Sequence, residues 1–308
     1  MKPLLHIFFL AVLIYLQGCS GCIKNTKNND QEPASTGKKS KIPVPVATGN
    51  LIIKDENDLT GYWAGLFGPE NAGTDSVQYD GEDEQFNKIN ISIDSINGTN
   101  VKGHTVIEGK VRFFKCTMEK GGNRYEFTFK GGADEKTDGV YKFSIAKGDS
   151  LLTGTWRAGK DDFGHDFSLT KKLFNYNAGW KLQPGNYVDY NKYKTVTKKI
   201  DTDTYRETRF ATTSDDVEKY NPSADILTKE YVANLKKADF LILRNSIFAR
   251  HGYTFKKPLL SLYFSQQTWY VPISNDVTAE LTNIEKQNLK LMAPYEKNAE
   301  EYYNAYGR

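Results

Sequence analysis

The sequence predicts an α+β chain of two domains, an antiparallel β-barrel or sandwich of about eight strands followed by a small α-helical domain. Three observations carry this expectation. Between 51 and 173 apolar residues recur at every second position. Glycine-bearing turn pairs separate these runs, with no helical insert between them. From 222 onward the apolar spacing changes to three and four. A length of 308 residues suits two domains. Lys+Arg 41 against Asp+Glu 38 gives +3, a near balance that argues against a nucleic-acid partner, which would show through a basic face. A hydrophobic share of 39% and a mean hydropathy of −0.59 exclude a multi-span membrane protein. An aromatic share of 13% fits β-structure and excludes wholesale disorder.

Residues 1–18 read as an address. Lys2 supplies a positive start, and Leu4 to Leu16 is an apolar run of 13 residues broken only by His6. A membrane span needs ~20 such residues, so the run has the length of a signal-peptide core instead. Leu16-Gln17-Gly18-Cys19 follows and resembles the lipobox of bacterial lipoproteins. That resemblance implies cleavage before Cys19, lipidation of its sulfur and acylation of its new amino group. Two or more acyl chains anchor stably where one binds marginally. By analogy with Gram-negative sorting, Ser20 rather than Asp favours the outer membrane. The expected location is thus the bacterial cell envelope, periplasmic or surface-exposed, with the membrane reached through the lipid anchor. Residues 19–50 are polar, rich in Lys, Asn, Ser and Pro, and read as a flexible tether. Cys22 in the tether and Cys116 in the β domain meet an oxidising compartment; they either pair or stay as thiols.

Residues 51–173 carry the alternation. Ile89, Ile91 and Ile93 share one face of a strand, with Asn90 and Ser92 on the other. Val101, Gly103, Thr105 and Ile107 continue it, then Val111 and Phe113. Tyr125, Phe127 and Phe129, then Tyr141, Phe143 and Ile145, then Leu152, Gly154 and Trp156, then Phe167 and Leu169 follow. Asn97-Gly98, Glu108-Gly109, Gly121-Gly122 and Asp138-Gly139 are turn signals. Closure into a barrel would remove exposed edges, and a sandwich is the competing arrangement. Gly61-Tyr62-Trp63 at the start resembles the G-x-W opening of lipocalin-like barrels, which implies a Trp63 plug at one end. An eight-strand barrel holds either a packed core or one small apolar ligand. His104, alone on its strand, is expected to point outward.

Residues 174–221 read as a connector with one hairpin, Lys194–Thr197 against Thr204–Thr208, turned at 201–203. In 222–308, Thr228 caps a short helix through Val232. Phe240, Leu243, Ile247 and His251 mark an amphipathic helix from Lys237 that closes at Gly252. Pro258 opens the next helix. Thr282-Asn283-Ile284-Glu285 is a capping box, and Pro294 is expected to end or kink its helix. Leu243 through Phe255, containing Phe248-Ala249-Arg250-His251-Gly252, resembles the signature of the YARHG domain. Tyr263-Phe264, Trp269-Tyr270 and Leu281–Asn288 fall where that family places its later blocks. The resemblance covers Leu227 to Tyr295 and implies an extracellular domain of bacterial envelope proteins. Phe248 stands where the family name has Tyr.

Two readings of the motif compete. In one, Arg250 and His251 form a polar hot spot for a carboxylate or phosphate, with Trp269 and Tyr270 as a stacking platform. In the other, the motif is a helix end, with Arg244 and Arg250 tied to Glu285 or to carbonyls. No metalloprotease, nucleophile-elbow, P-loop or dinucleotide motif is present in the sequence. Asp161 to Asp166 is the densest set of potential ligands, in a loop where solvated charge is ordinary. The expectation is a non-catalytic binding or structural module without metal or cofactor. It would recognise a cell-wall polymer or envelope protein through the helical domain. The alternative is carriage of a small apolar ligand or lipid in the β domain.

Overall fold

In the computed structural model, residues 51–69, 87–131, 139–158, 164–200 and 202–302 are described. The tether, Cys19, Cys22 and Asp161–Phe163 lie outside them. Eight antiparallel strands follow one another: β1 Gly61–Pro69, β2 Asn87–Asn97, β3 Asn100–Ile107, β4 Lys110–Gly121, β5 Arg124–Gly131, β6 Gly139–Ala146, β7 Leu151–Ala158 and β8 Gly164–Lys172. Each pairs with the next, and β1 also pairs with β8, so the sheet closes into a barrel. Closure decides between barrel and sandwich, and it leaves no free edge.

The interior is apolar and aromatic. Ile89, Ile91, Ile93, Phe127, Phe143, Ile145 and Leu169 are buried there. Phe114 stacks on Phe129 with centroids 3.8 Å apart, Phe127 on Phe143 at 4.6 Å, and Phe129 on Tyr141 at 4.7 Å. Trp63 closes one end. Its indole N–H donates to the Leu59 carbonyl at 3.0 Å, in the 3-10 turn Glu56–Leu59. The Lys171 amine lies 5.9 Å from the Trp63 ring and donates to the Asp58 carbonyl.

One register differs from the sequence expectation. On β4 the inward residues are Phe114, Cys116 and Met118, while Phe113 is 52% exposed. Gly103 lies opposite Phe114, and a Cβ there would meet the Phe114 ring at 2.4 Å. The space that the glycine leaves selects Phe114 over Phe113, and a one-residue change of register flips the whole set.

A second sheet is the hairpin β9 Val188–Ile200 with β10 Asp203–Thr212, longer than expected. Four helices follow: α1 Lys229–Val232, α2 Lys237–Arg250, α3 Pro258–Ser265 and α4 Asn283–Asn298. Among 14 residues of α2, ten are buried. One face packs with α3 through Ile242, Ala249, Tyr263 and Phe264. The other packs with α1 and α4 through Phe240, Leu243, Val232 and Met292. α2 is therefore a central helix rather than an amphipathic surface one. Tyr187, Leu182 and Val217 belong to the same cores, so 174–221 is part of the helical body and not a mere connector. α4 runs through Pro294 to Asn298 without ending there. Pro294 and Lys290 are both exposed, so water can meet the Lys290 carbonyl that lacks its helical donor.

The helical body packs on the outer face of the barrel. The Lys88 backbone N–H donates to Ser265 Oγ at 2.8 Å, and the Gly109 N–H to Thr254 Oγ1 at 3.0 Å. Glu108 and Gly109 both have positive φ, 47° and 72°, which forms the tight turn that reaches Thr254. Asn90, Ser92, His104 and Val106 are 0% exposed although they alternate with the barrel interior. His104 is thus buried and not outward in solvent. Its Nδ1 lies 2.9 Å from Asp94 Oδ2, while its Nε2 has no partner. Burial of both faces of β2 is what the alternation did not disclose.

Candidate functional site

The motif sits where α2 ends. Arg250 is its last helical residue, His251 the C-cap, and Gly252 turns the chain at φ 76°. The Tyr253 N–H donates to the Phe248 carbonyl at 3.0 Å and the Gly252 N–H to the Ala249 carbonyl at 2.9 Å. This pair of bonds is a Schellman closure, and Tyr253 packs against Phe248 with centroids 6.1 Å apart. A Cβ on Gly252 would lie 2.4 Å from Ile273 Cγ1 and 2.9 Å from the Val271 carbonyl, so the position excludes larger residues.

The closure sends Arg250 and His251 into the interior. Arg250 is 1% exposed. Its Nε donates to the Trp180 carbonyl at 2.7 Å, and its Nη1 to Ser246 Oγ at 2.8 Å and Ser223 Oγ at 3.5 Å. The guanidinium carbon lies 5.6 Å from the centre of the Trp269 ring. Burial pushes the Arg250 pKa down to about 10, and the nearby Glu285 charge works against that. His251 Nε2 lies 2.8 Å from Glu285 Oε2. An ionised carboxylate only accepts, so Nε2 carries the proton in this bond. Tyr176 stacks on the imidazole at 4.2 Å and donates its hydroxyl to Glu285 Oε1 at 3.1 Å.

Glu285 joins three segments. As the third residue of α4 it accepts from the Thr282 N–H at 2.8 Å, completing the capping box. It also takes the His251 and Tyr176 bonds. Burial favours its neutral form, yet the bonds from His251, Thr282 and Ser223 outweigh this and hold its pKa down at about 2. Asn288, one turn on, donates to the Pro222 and Asp225 carbonyls at 2.8 and 2.7 Å and accepts from the Leu227 N–H at 3.0 Å. Arg244 pairs with Glu296, not with Glu285, at 3.2 Å.

The structure brings Arg250 and Trp269 together, and the Tyr270 ring meets Trp269 edge-on at 6.5 Å. His251 faces Glu285. Tyr270 is 2% exposed, and its hydroxyl donates to the Tyr253 carbonyl at 2.8 Å. Trp269 also meets Trp180, stacked at 5.6 Å and 17°. Both tryptophans are partly exposed. Trp180 lies 89 positions before Trp269, and no spacing rule ties the two; only the folding of 174–221 onto the helices joins them. Among the described residues no group of His, Cys, Asp and Glu is placed to hold a metal. Cys116 is a half-buried free thiol, its pKa pushed up to about 11 by burial.

Residues 218–297 match the family model of the YARHG domain, and the barrel lies outside that match. No curated protein and no solved structure matches the chain.

Proposed function

We propose that this chain is a lipid-anchored protein of the bacterial cell envelope that works as a non-catalytic binding module. Recognition of a cell-wall polymer runs through the Trp180–Trp269 face. One observation carries the reading: two stacked, partly exposed tryptophans are held from below by a buried guanidinium. An aromatic pair fixed in this way offers a rigid apolar surface with polar groups at its rim, as a sugar ring requires. The Lys181 carbonyl accepts the Trp269 indole N–H at 2.8 Å and fixes the ring orientation. Arg250, His251 and Tyr270 are too buried to touch a polymer, and they support the face instead. The YARHG match at 218–297 supports an envelope or extracellular setting, and the lipobox-like Leu16–Cys19 supports the anchor. The barrel interior is taken up by stacked rings, which speaks against a lipid chamber there.

The test is co-sedimentation of the full chain with purified sacculi. Wild type is expected in the pellet, and Trp269→Ala in the supernatant at a thermal stability matched by temperature choice. Retained binding by Trp269→Ala would remove the tryptophan face from recognition, and absence of wild-type binding would discard the polymer. For the anchor, Cys19→Ala is expected to move the protein out of the membrane fraction and to abolish acyl labelling.

A further inference from the structure

A cavity lies where the barrel meets the helical body, and its lining reaches Thr268, the residue before Trp269. It measures about 610 Å³ and lies among β1, β2, the start of β9 and α3. This volume is within the ~300–1,000 Å³ usual for small-molecule sites. Leu66, Tyr187, Leu259, Leu262 and Tyr263 give it an apolar wall, and Lys88 is the charged residue lining it. No carboxylate lines it among the described residues.

Lys88 is placed unusually for a lysine. Its amine donates to the Gln267 carbonyl at 2.7 Å and lies 5.9 Å from the Tyr270 ring. No described carboxylate pairs with it, and the charge that acts on it is another cation, Lys172. Burial, then Lys172, pushes its pKa down to about 8. A cation half-withdrawn from water beside an apolar wall lacks only an anion to complete it.

We propose that this cavity binds a long-chain carboxylate of the fatty-acid class, with the acyl chain along the leucine and tyrosine wall and the head on Lys88. Charge complementarity selects the head. Lys88 is the one cation of the lining, which matches the single charge of a carboxylate, whereas a phosphate dianion would keep a second charge without a counter-cation there. The inference goes beyond polymer recognition and does not depend on it.

Equilibrium dialysis of the delipidated full chain tests it, with radiolabelled palmitate and hexadecan-1-ol as probes. Palmitate is expected to bind about tenfold or more tighter than the alcohol, the difference a charge-assisted hydrogen bond makes. Lys88→Gln is expected to erase that preference while leaving the alcohol unchanged. Leu66→Trp and Leu259→Trp, which fill the wall from two sides, are expected to weaken both probes. Equal affinity of wild type for the two probes, or an unchanged preference in Lys88→Gln, would overturn the role of Lys88. Undiminished palmitate binding in both tryptophan variants would place the ligand elsewhere. Leu66→Trp, on the barrel side of the cavity, is expected to co-sediment with sacculi like wild type, which keeps the two results separate.

Discussion

Arg250 is nearly excluded from water, and its hydrogen bonds go to a carbonyl and two hydroxyls rather than to a carboxylate. The nearest compensating charge is Glu285, which is itself bonded to His251. Removal of the side chain therefore leaves the Trp180 carbonyl with the Asn221 amide as its remaining donor at 3.0 Å, takes a donor from the Ser246 and Ser223 hydroxyls, and opens a cavity beneath Trp269. Arg250→Ala is expected to destabilise by roughly 2–4 kcal/mol, seen as a lower urea midpoint. Arg250→Lys should recover only part of this, because a compact ammonium does not reproduce the fork. Glu285 makes the fold acid-sensitive. Its folded pKa of about 2 lies below the ordinary value of 4.5, so its contribution is fully present above about pH 4.5. That contribution is lost as pH falls through 4.5 toward 2. In a pH series of denaturant melts, Glu285→Gln is expected to be less stable at neutral pH and to show a flatter acid limb.

The end of α2 and the body of α4 obey different local rules. Gly252 combines a left-handed φ of 76° with contacts at 2.4 and 2.9 Å to where a Cβ would stand. Gly98 has a similar φ of 62° with open space around it. Comparison of the two alanine variants separates backbone strain from steric conflict. Gly98→Ala is expected to cost about 1 kcal/mol and Gly252→Ala clearly more, read from melting temperatures. Pro294 shows the opposite case. It lies within a helix at an exposed position. Pro294→Ala restores a backbone donor to Lys290 and is expected to raise stability by roughly 1–3 kcal/mol.

The barrel and the helical body share an interface at β2, where Lys88 meets Ser265 and Gln267, and at the Gly109 turn. Asn90, Ser92, His104 and Val106, on the outer face of β2 and β3, have no exposure. Thr254, two residues past Gly252, holds the Gly109 turn of the barrel. The end of the YARHG motif thus serves both the helix closure and the contact with the barrel. We expect a single cooperative unfolding transition, with the same midpoint by far-ultraviolet circular dichroism and by tryptophan fluorescence. Two separated transitions would mean that the interface contributes little.

Local rules in the sequence determined the strands by their alternation, the turns by their glycines, the cap at Thr228, the capping box at Thr282 and the closure at Gly252. These are contacts between near neighbours, where spacing alone sets which groups meet. The barrel core was readable for the same reason, except at Phe113-Phe114, where two adjacent rings leave the register open until Gly103 is placed opposite. The helix end, with its inward Arg250 and His251, was half legible: the cap was visible, but not the partners Trp180, Tyr176 and Glu285. The tertiary structure alone decided closure into a barrel, burial of both faces of α2 and β2, the pairing of Trp180 with Trp269, and the cavity at Lys88. Each depends on which distant segment covers a given face, and a periodicity reports that a face is apolar without saying what comes to lie on it.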